Sequence, residues 1–115
     1  MTRTSAVTFE NTALQSLRNC RYFLIDHLEM PLDKAHTYTL SLADTAVSPL
    51  AQRADTYAIC RQAAELGTND YRELPIDNYR VVYRIWPETH AVSIYLFVHQ
   101  RQDLKQLLFQ YQILK

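Results

Sequence analysis

Four side chains suited to gripping a phosphate or moving a proton fall within one short stretch of the sequence. Asn78 to Trp86 reads NYRVVYRIW, the residues PETH follow, and then comes AVSIYLFVHQRQD. Arg80, Arg84, His99 and Arg101 therefore lie along two successive runs of strand-forming residues. A guanidinium can hold a phosphate or carboxylate with two parallel hydrogen bonds, and an imidazole titrates near neutral pH and can transfer a proton. Trp86 and Tyr95 add aromatic faces on which a base can stack. Strand alternation places Arg80, Val82, Arg84 and Trp86 on one face of the first run, and Tyr79, Val81, Tyr83 and Ile85 on the other. It divides the second run into Ala91, Ser93, Tyr95, Phe97 and His99 against Val92, Ile94, Leu96 and Val98. Turning the two more apolar sets toward a core leaves Arg80, Arg84, Trp86, Tyr95 and His99 on the open face, with Arg101 just beyond. The same pattern also fits a purely structural account. The solvated face of an antiparallel sheet is polar, and Arg84 is placed to pair with Glu73 across a hairpin, a surface contact worth ~0–1 kcal/mol.

The elements that must position these residues are legible from periodicity. Ala6 to Phe9 reads as a short first strand. Asn11 offers an N-cap, and Leu14, Leu17, the stem of Arg21, Leu24, Ile25 and Leu28 recur at helical spacing. Pro31 ends that helix, and Asp33 is a cap for a second one. Its stripe is Ala35, Tyr38, Thr39, Leu42, Ala43 and Ala46, and Ser48-Pro49 is the expected stop. So short a connection makes the two helices an antiparallel hairpin. Thr56 to Leu66 fits equally a short helix ended by Gly67 in a left-handed conformation or an extended crossing of the sheet. From Tyr71 the period becomes two. Strands are expected at Tyr71–Ile76, Tyr79–Trp86 and Ala91–Val98, with turns at Asp77-Asn78 and Pro87–His90. Leu104, Leu107, Leu108, Tyr111 and Leu114 form the stripe of a final helix, capped by Gln102 or Asp103 and turned toward the core. The fold class is α+β: an N-terminal strand, an antiparallel helical hairpin, a three-stranded antiparallel meander and a C-terminal helix.

Composition narrows the chemistry. The chain of 115 residues makes one domain, residues 1–115. A single glycine, Gly67, argues against glycine-rich phosphate loops. Twelve Lys and Arg balance twelve Asp and Glu, whereas proteins that hold nucleic acid by its phosphates carry a basic excess. Cys20 and Cys60 lie in no metal-binding spacing and read as buried thiols of a cytoplasmic protein. No metal or cofactor is expected. His27, His36 and His90 assemble no ligand set, and neither a nucleophile triad nor a carboxylate pair has an evident site. No apolar run reaches the ~18 residues that span a bilayer, so no membrane partner is expected.

The phrase YRELPIDNYRVVYRIWPE, followed by VSIYLFVHQRQDL, resembles the RelE/ParE superfamily of toxins from type II toxin–antitoxin systems, also described as plasmid stabilisation proteins. The likeness in element order covers nearly the whole chain and is most specific over residues 71–104. It implies a small growth-inhibiting toxin held in a hetero-oligomer by a cognate antitoxin protein. It also implies one of two targets. ParE-like members poison DNA gyrase and are not enzymes. RelE-like members cleave mRNA on the ribosome as mRNA interferases. In the second case Arg80 and Arg101 would hold the scissile phosphate and His99 would act as the acid or base. Arg84, Trp86 and Tyr95 would contact target or antitoxin in either case. Two positions depart from the RelE pattern. Glu73 stands in the strand where RelE carries lysines, and Leu107 or Leu108 stands where RelE has a catalytic tyrosine, with Tyr111 a turn later. The His-x-Arg-x-Asp ending and the neutral charge favour the ParE-like expectation over the endonuclease. A non-toxic binding member of the fold is the third possibility.

Overall fold

The helical hairpin forms as expected, but its ends are set by packing rather than by the caps the sequence offers. The computed structural model describes residues 4–113. Helix α1 spans Asn11–Leu28 and α2 spans Leu32–Arg53. Glu10, not Asn11, is the N-cap of α1, and Pro31, not Asp33, is that of α2; neither cap uses a side chain. The sharp connection turns on Glu29, at φ 55°. Pro49 does not stop α2, which continues for another turn. The reason is burial: Ala46, Leu50 and Ala54 continue the inner stripe at intervals of four and are 7% exposed or less. A 3-10 turn, Ala54–Thr56, follows. Residues 56–66 divide between the two expectations. Ile59 forms an isolated bridge to Arg72, and Arg61–Glu65 is a one-turn helix, α3, ended by Gly67 at φ 106°.

Strands β1 (Val7–Phe9), β2 (Tyr71–Ile76), β3 (Tyr79–Ile85) and β4 (Val92–His99) form one sheet in the order β1-β4-β3-β2. The last three make the expected antiparallel meander, and β1 lies parallel to β4. Positive φ at Asp77 and His90 closes the two hairpins. On the outer edge of β2, Tyr71 and Glu73 bond to Cys60 and Ala58, and Pro75 takes the next outward position. Helix α4 spans Leu104–Gln110, capped by the Asp103 side chain accepting from the Gln106 amide. It is shorter than its sequence stripe implies, and Leu114 lies outside the described residues.

One register change reorganises the core. A bulge opens β4 opposite Val82 and Tyr83: Val82 pairs with Leu96 but Tyr83 pairs with Ile94, so Tyr95 is the extra residue. Side chains beyond it exchange faces. Val92 and Ile94 face the hairpin, as expected, together with Phe97 and His99. Leu96 and Val98, expected to join them, turn to the opposite face. That face is not open in its middle. Helices α3 and α4 cover it, with Cys60, Ala63, Leu104 and Leu108 packed on Val82, Leu96 and Val98.

The inner stripe of α1 also differs from the expected one. Leu14 is 54% exposed, and the buried positions are Ala13, Ser16, Cys20 and Leu24. The cause is the edge of β4. Strand β1 is too short to cover it, and α1 runs alongside the rest. Thr12 donates to the Tyr95 carbonyl at 2.7 Å, Ser16 Oγ accepts from the Phe97 amide at 2.9 Å, and the Cys20 thiol lies 3.2 Å from the Phe97 carbonyl. Gln102 accepts from the His99 amide at 2.8 Å. Small polar residues four apart thus replace a missing strand. Removing the Ser16 hydroxyl leaves a buried amide without a partner. Ser16→Ala is expected to cost roughly 1–3 kcal/mol, read as a lower denaturant midpoint at unchanged slope.

Candidate functional site

The residues singled out by type separate into three environments. Arg80 points to the α3–α4 face. It donates to Glu73 Oε2 at 3.3 Å and to Gln62 Oε1 at 3.1 Å. Glu73 therefore pairs with Arg80, not with Arg84 as cross-strand geometry had suggested. Both members are about three-quarters buried, and the pair fixes α3 against the sheet. Arg80 is thus occupied by a carboxylate within the protein.

His99 lies on the opposite face, beneath α1, and is 3% exposed. Its ring sits 4.9 Å from that of Phe23 and meets Tyr79 edge-on at 5.0 Å. Its Nδ1 accepts the Arg101 amide at 3.1 Å, which leaves any proton of the neutral ring on Nε2. The open-face placement expected for His99 fails because the bulge at Tyr95 inverts every side chain after it. Arg101 is exposed in the turn beyond β4, and the His99 ring stands apart from Arg80 across the thickness of the sheet. Burial, and then the nearby Arg101 guanidinium, hold the His99 imidazole below its ordinary 6.5. Burial also raises the Cys20 thiol to about 12, which makes it inert as a nucleophile.

Arg84, Trp86 and Tyr95 do come together, at the end of the α3–α4 face that α4 leaves uncovered. The Arg84 guanidinium stacks over the Trp86 ring at 4.2 Å. The indole donates to Ser93 Oγ at 2.9 Å. Tyr95 meets Tyr71 edge-on, with centroids 5.4 Å apart. Tyr71 belongs to this cluster and was missed in the sequence, although its pairing with Arg84 follows from the two-residue hairpin turn. Among the described residues no group of three His, Cys, Asp or Glu side chains gathers to hold a metal ion, and no helix is long and apolar enough to cross a membrane.

The sequence model of the ParE toxin of type II toxin–antitoxin systems, parDE, matches residues 7–104. The chain belongs to this ParE toxin family. Its fold is that of the RelE/ParE toxins. A chain of the RelBE2 toxin–antitoxin complex from Mycobacterium tuberculosis superposes with a TM-score of 0.60 at 18% identity, over 87% of this chain and 95% of that one. A chain of the chromosomal ParDE system from P. aeruginosa gives 0.63 at 14% identity, over 84% and 96%. No curated protein matches in sequence. The matched residues of the ParE toxin run from the first strand to the first residue of α4, so they include β4, its bulge and the three environments above.

The His99 pocket has a pH signature. The unfolded chain binds a proton at a pH where the native imidazole stays neutral. Stability therefore falls as the pH drops through and below 6.5, and is retained above it. The denaturant midpoint is expected to fall between about pH 7.5 and about pH 5.5. It should fall less in His99→Gln. Equal slopes in the two proteins would contradict the assignment.

Proposed function

We propose that this toxin arrests growth by binding DNA gyrase as a non-catalytic poison, and that a cognate antitoxin neutralises it in a hetero-oligomeric complex. The observation that carries the reading is the separation of His99 from Arg80. Cleavage of RNA at a 2′-hydroxyl needs an acid or base within hydrogen-bond reach of the phosphate that the cations hold. Here the imidazole is buried under α1 with its Nδ1 already accepting a backbone amide. The strand arginine is on the other face, satisfied by Glu73 and Gln62. A charge balance of zero adds support, since entry into the ribosome favours a basic protein. The antitoxin partner is supported by family membership and by the similar solved chains, one from a toxin–antitoxin complex and one from a ParDE system.

The test is tightly controlled induction of this chain, with replication, translation and mRNA integrity followed separately. Replication should fail first, with double-strand breaks and intact mRNA. His99→Gln, confirmed folded, should arrest growth as the wild type does. Translation failing within minutes, with mRNA cut inside reading frames and His99→Gln inactive, would replace this reading by the mRNA interferase. Normal growth with folded protein present would leave a binding member of the fold.

A further inference from the structure

The end of the α3–α4 face beyond α4 carries a cation that has no ion-pair partner among the described residues. Arg72 donates to the carbonyls of Tyr57 and Asp55, and Arg80 is held by Glu73 and Gln62. Among the described residues Arg84 makes no ion pair and no hydrogen bond to a carboxylate or carbonyl. It is nonetheless ordered by its surroundings. Trp86 lies against one face of the guanidinium, and that indole is itself anchored to Ser93, which is 5% exposed and pairs with Arg84 across the strands. Tyr71 flanks it from β2, and the Tyr71–Tyr95 contact closes the side. Stacking occupies the flat face of the guanidinium, and the Tyr71 hydroxyl engages part of its N–H edge without supplying a charge, so the rest of the fork can take an anion. An arginine fixed in this way loses little entropy when that edge takes up a ligand.

We propose that the Arg84–Trp86–Tyr95 platform grips a carboxylate side chain of the toxin's protein target, set within an otherwise apolar contact. This inference rests on the gyrase reading above. A carboxylate matches the fork of a guanidinium, and arginine with tryptophan and tyrosine is the composition of a binding hot spot. A polyanion fits less well. The platform holds one cation, the whole chain is neutral, and the Tyr95 hydroxyl, raised first by burial and by Tyr71, also feels the Glu10 carboxylate. One anionic group among aromatic rings is the ligand that this arrangement accommodates.

Purified DNA gyrase, without DNA, is the probe, and growth arrest is read in parallel. Arg84→Met keeps the stem over Trp86 and removes only the charge. It should weaken gyrase binding on the order of tenfold to a hundredfold and abolish arrest, at a thermal midpoint close to that of the wild type. Arg84→Lys should recover little, because an ammonium cannot form the fork. Should Arg84→Met bind and arrest like the wild type, the platform is overturned while the gyrase reading stands. Binding that appears only when DNA is added would make the ligand a phosphate and overturn the carboxylate assignment. Arrest with cut mRNA and no gyrase binding would remove the reading and this inference together. Wild-type protein that neither arrests nor binds would do the same.

Discussion

The outer edge of β4 is the constraint on which the rest of the molecule depends. The central strands of a sheet can bury both faces only if their backbone groups are paired, and β1 supplies pairing for no more than the first three residues of β4. Beyond Ile94 the partners are the side chains of Thr12, Ser16, Cys20 and Gln102. A helix can do this work only if it lies close to the strand, and it can lie close only if its inner residues are small. The inner surface of α1 is accordingly Ala13, Ser16 and Cys20, with Leu24 entering the core at its far end. Bulkier side chains at these places would lift the helix off the sheet and strand several buried amides and carbonyls at once.

The bulge at Tyr95 follows from the same edge. Ile94 bonds to the Glu10 amide and Tyr95 to Thr12, so two successive carbonyls point outward where a regular strand would alternate them. That extra residue divides the molecule into two cores. Phe97 and His99 turn under the hairpin, while Leu96 and Val98 turn toward α3 and α4. It also decides the chemistry, because it carries the only imidazole of the sheet away from Arg80. A one-residue change in register is enough to separate a base from a cation that a regular strand would have set on one face.

Much of this was legible in the sequence. The period-two runs and their turns gave the meander, while residues 56–66 fitted a helix ended by Gly67 and an extended crossing equally well. Arg84, Trp86 and Tyr95 were assigned one face correctly, since the bulge residue still stands at the boundary. The placement of His99, Leu96 and Val98 was not legible. A bulge arises from what lies beside a strand, and the run YLFVH is apolar through four successive residues, so it carries no alternation that would mark a change of face. The burial of Ser16 in place of Leu14 was hidden for a related reason. Hydrophobic periodicity marks where a helix meets apolar side chains, and α1 here meets backbone. The spacing Thr12, Ser16, Cys20 was the available signal. Pro49 misled because the local cost of an interior proline was outweighed by the burial of Leu50 and Ala54.

The outer edge of β2 has a consequence for how the chain behaves when crowded. An unpaired sheet edge is a template for copies of the same sheet, the first step toward cross-β stacking. The Tyr71 carbonyl and the Glu73 amide are already taken by the segment before α3, and the next donor along that row would have come from Pro75, which has none. At β2, then, the sheet gives a second copy no continuous ladder to join. The chain can therefore accumulate without its strands seeding fibrils from that side.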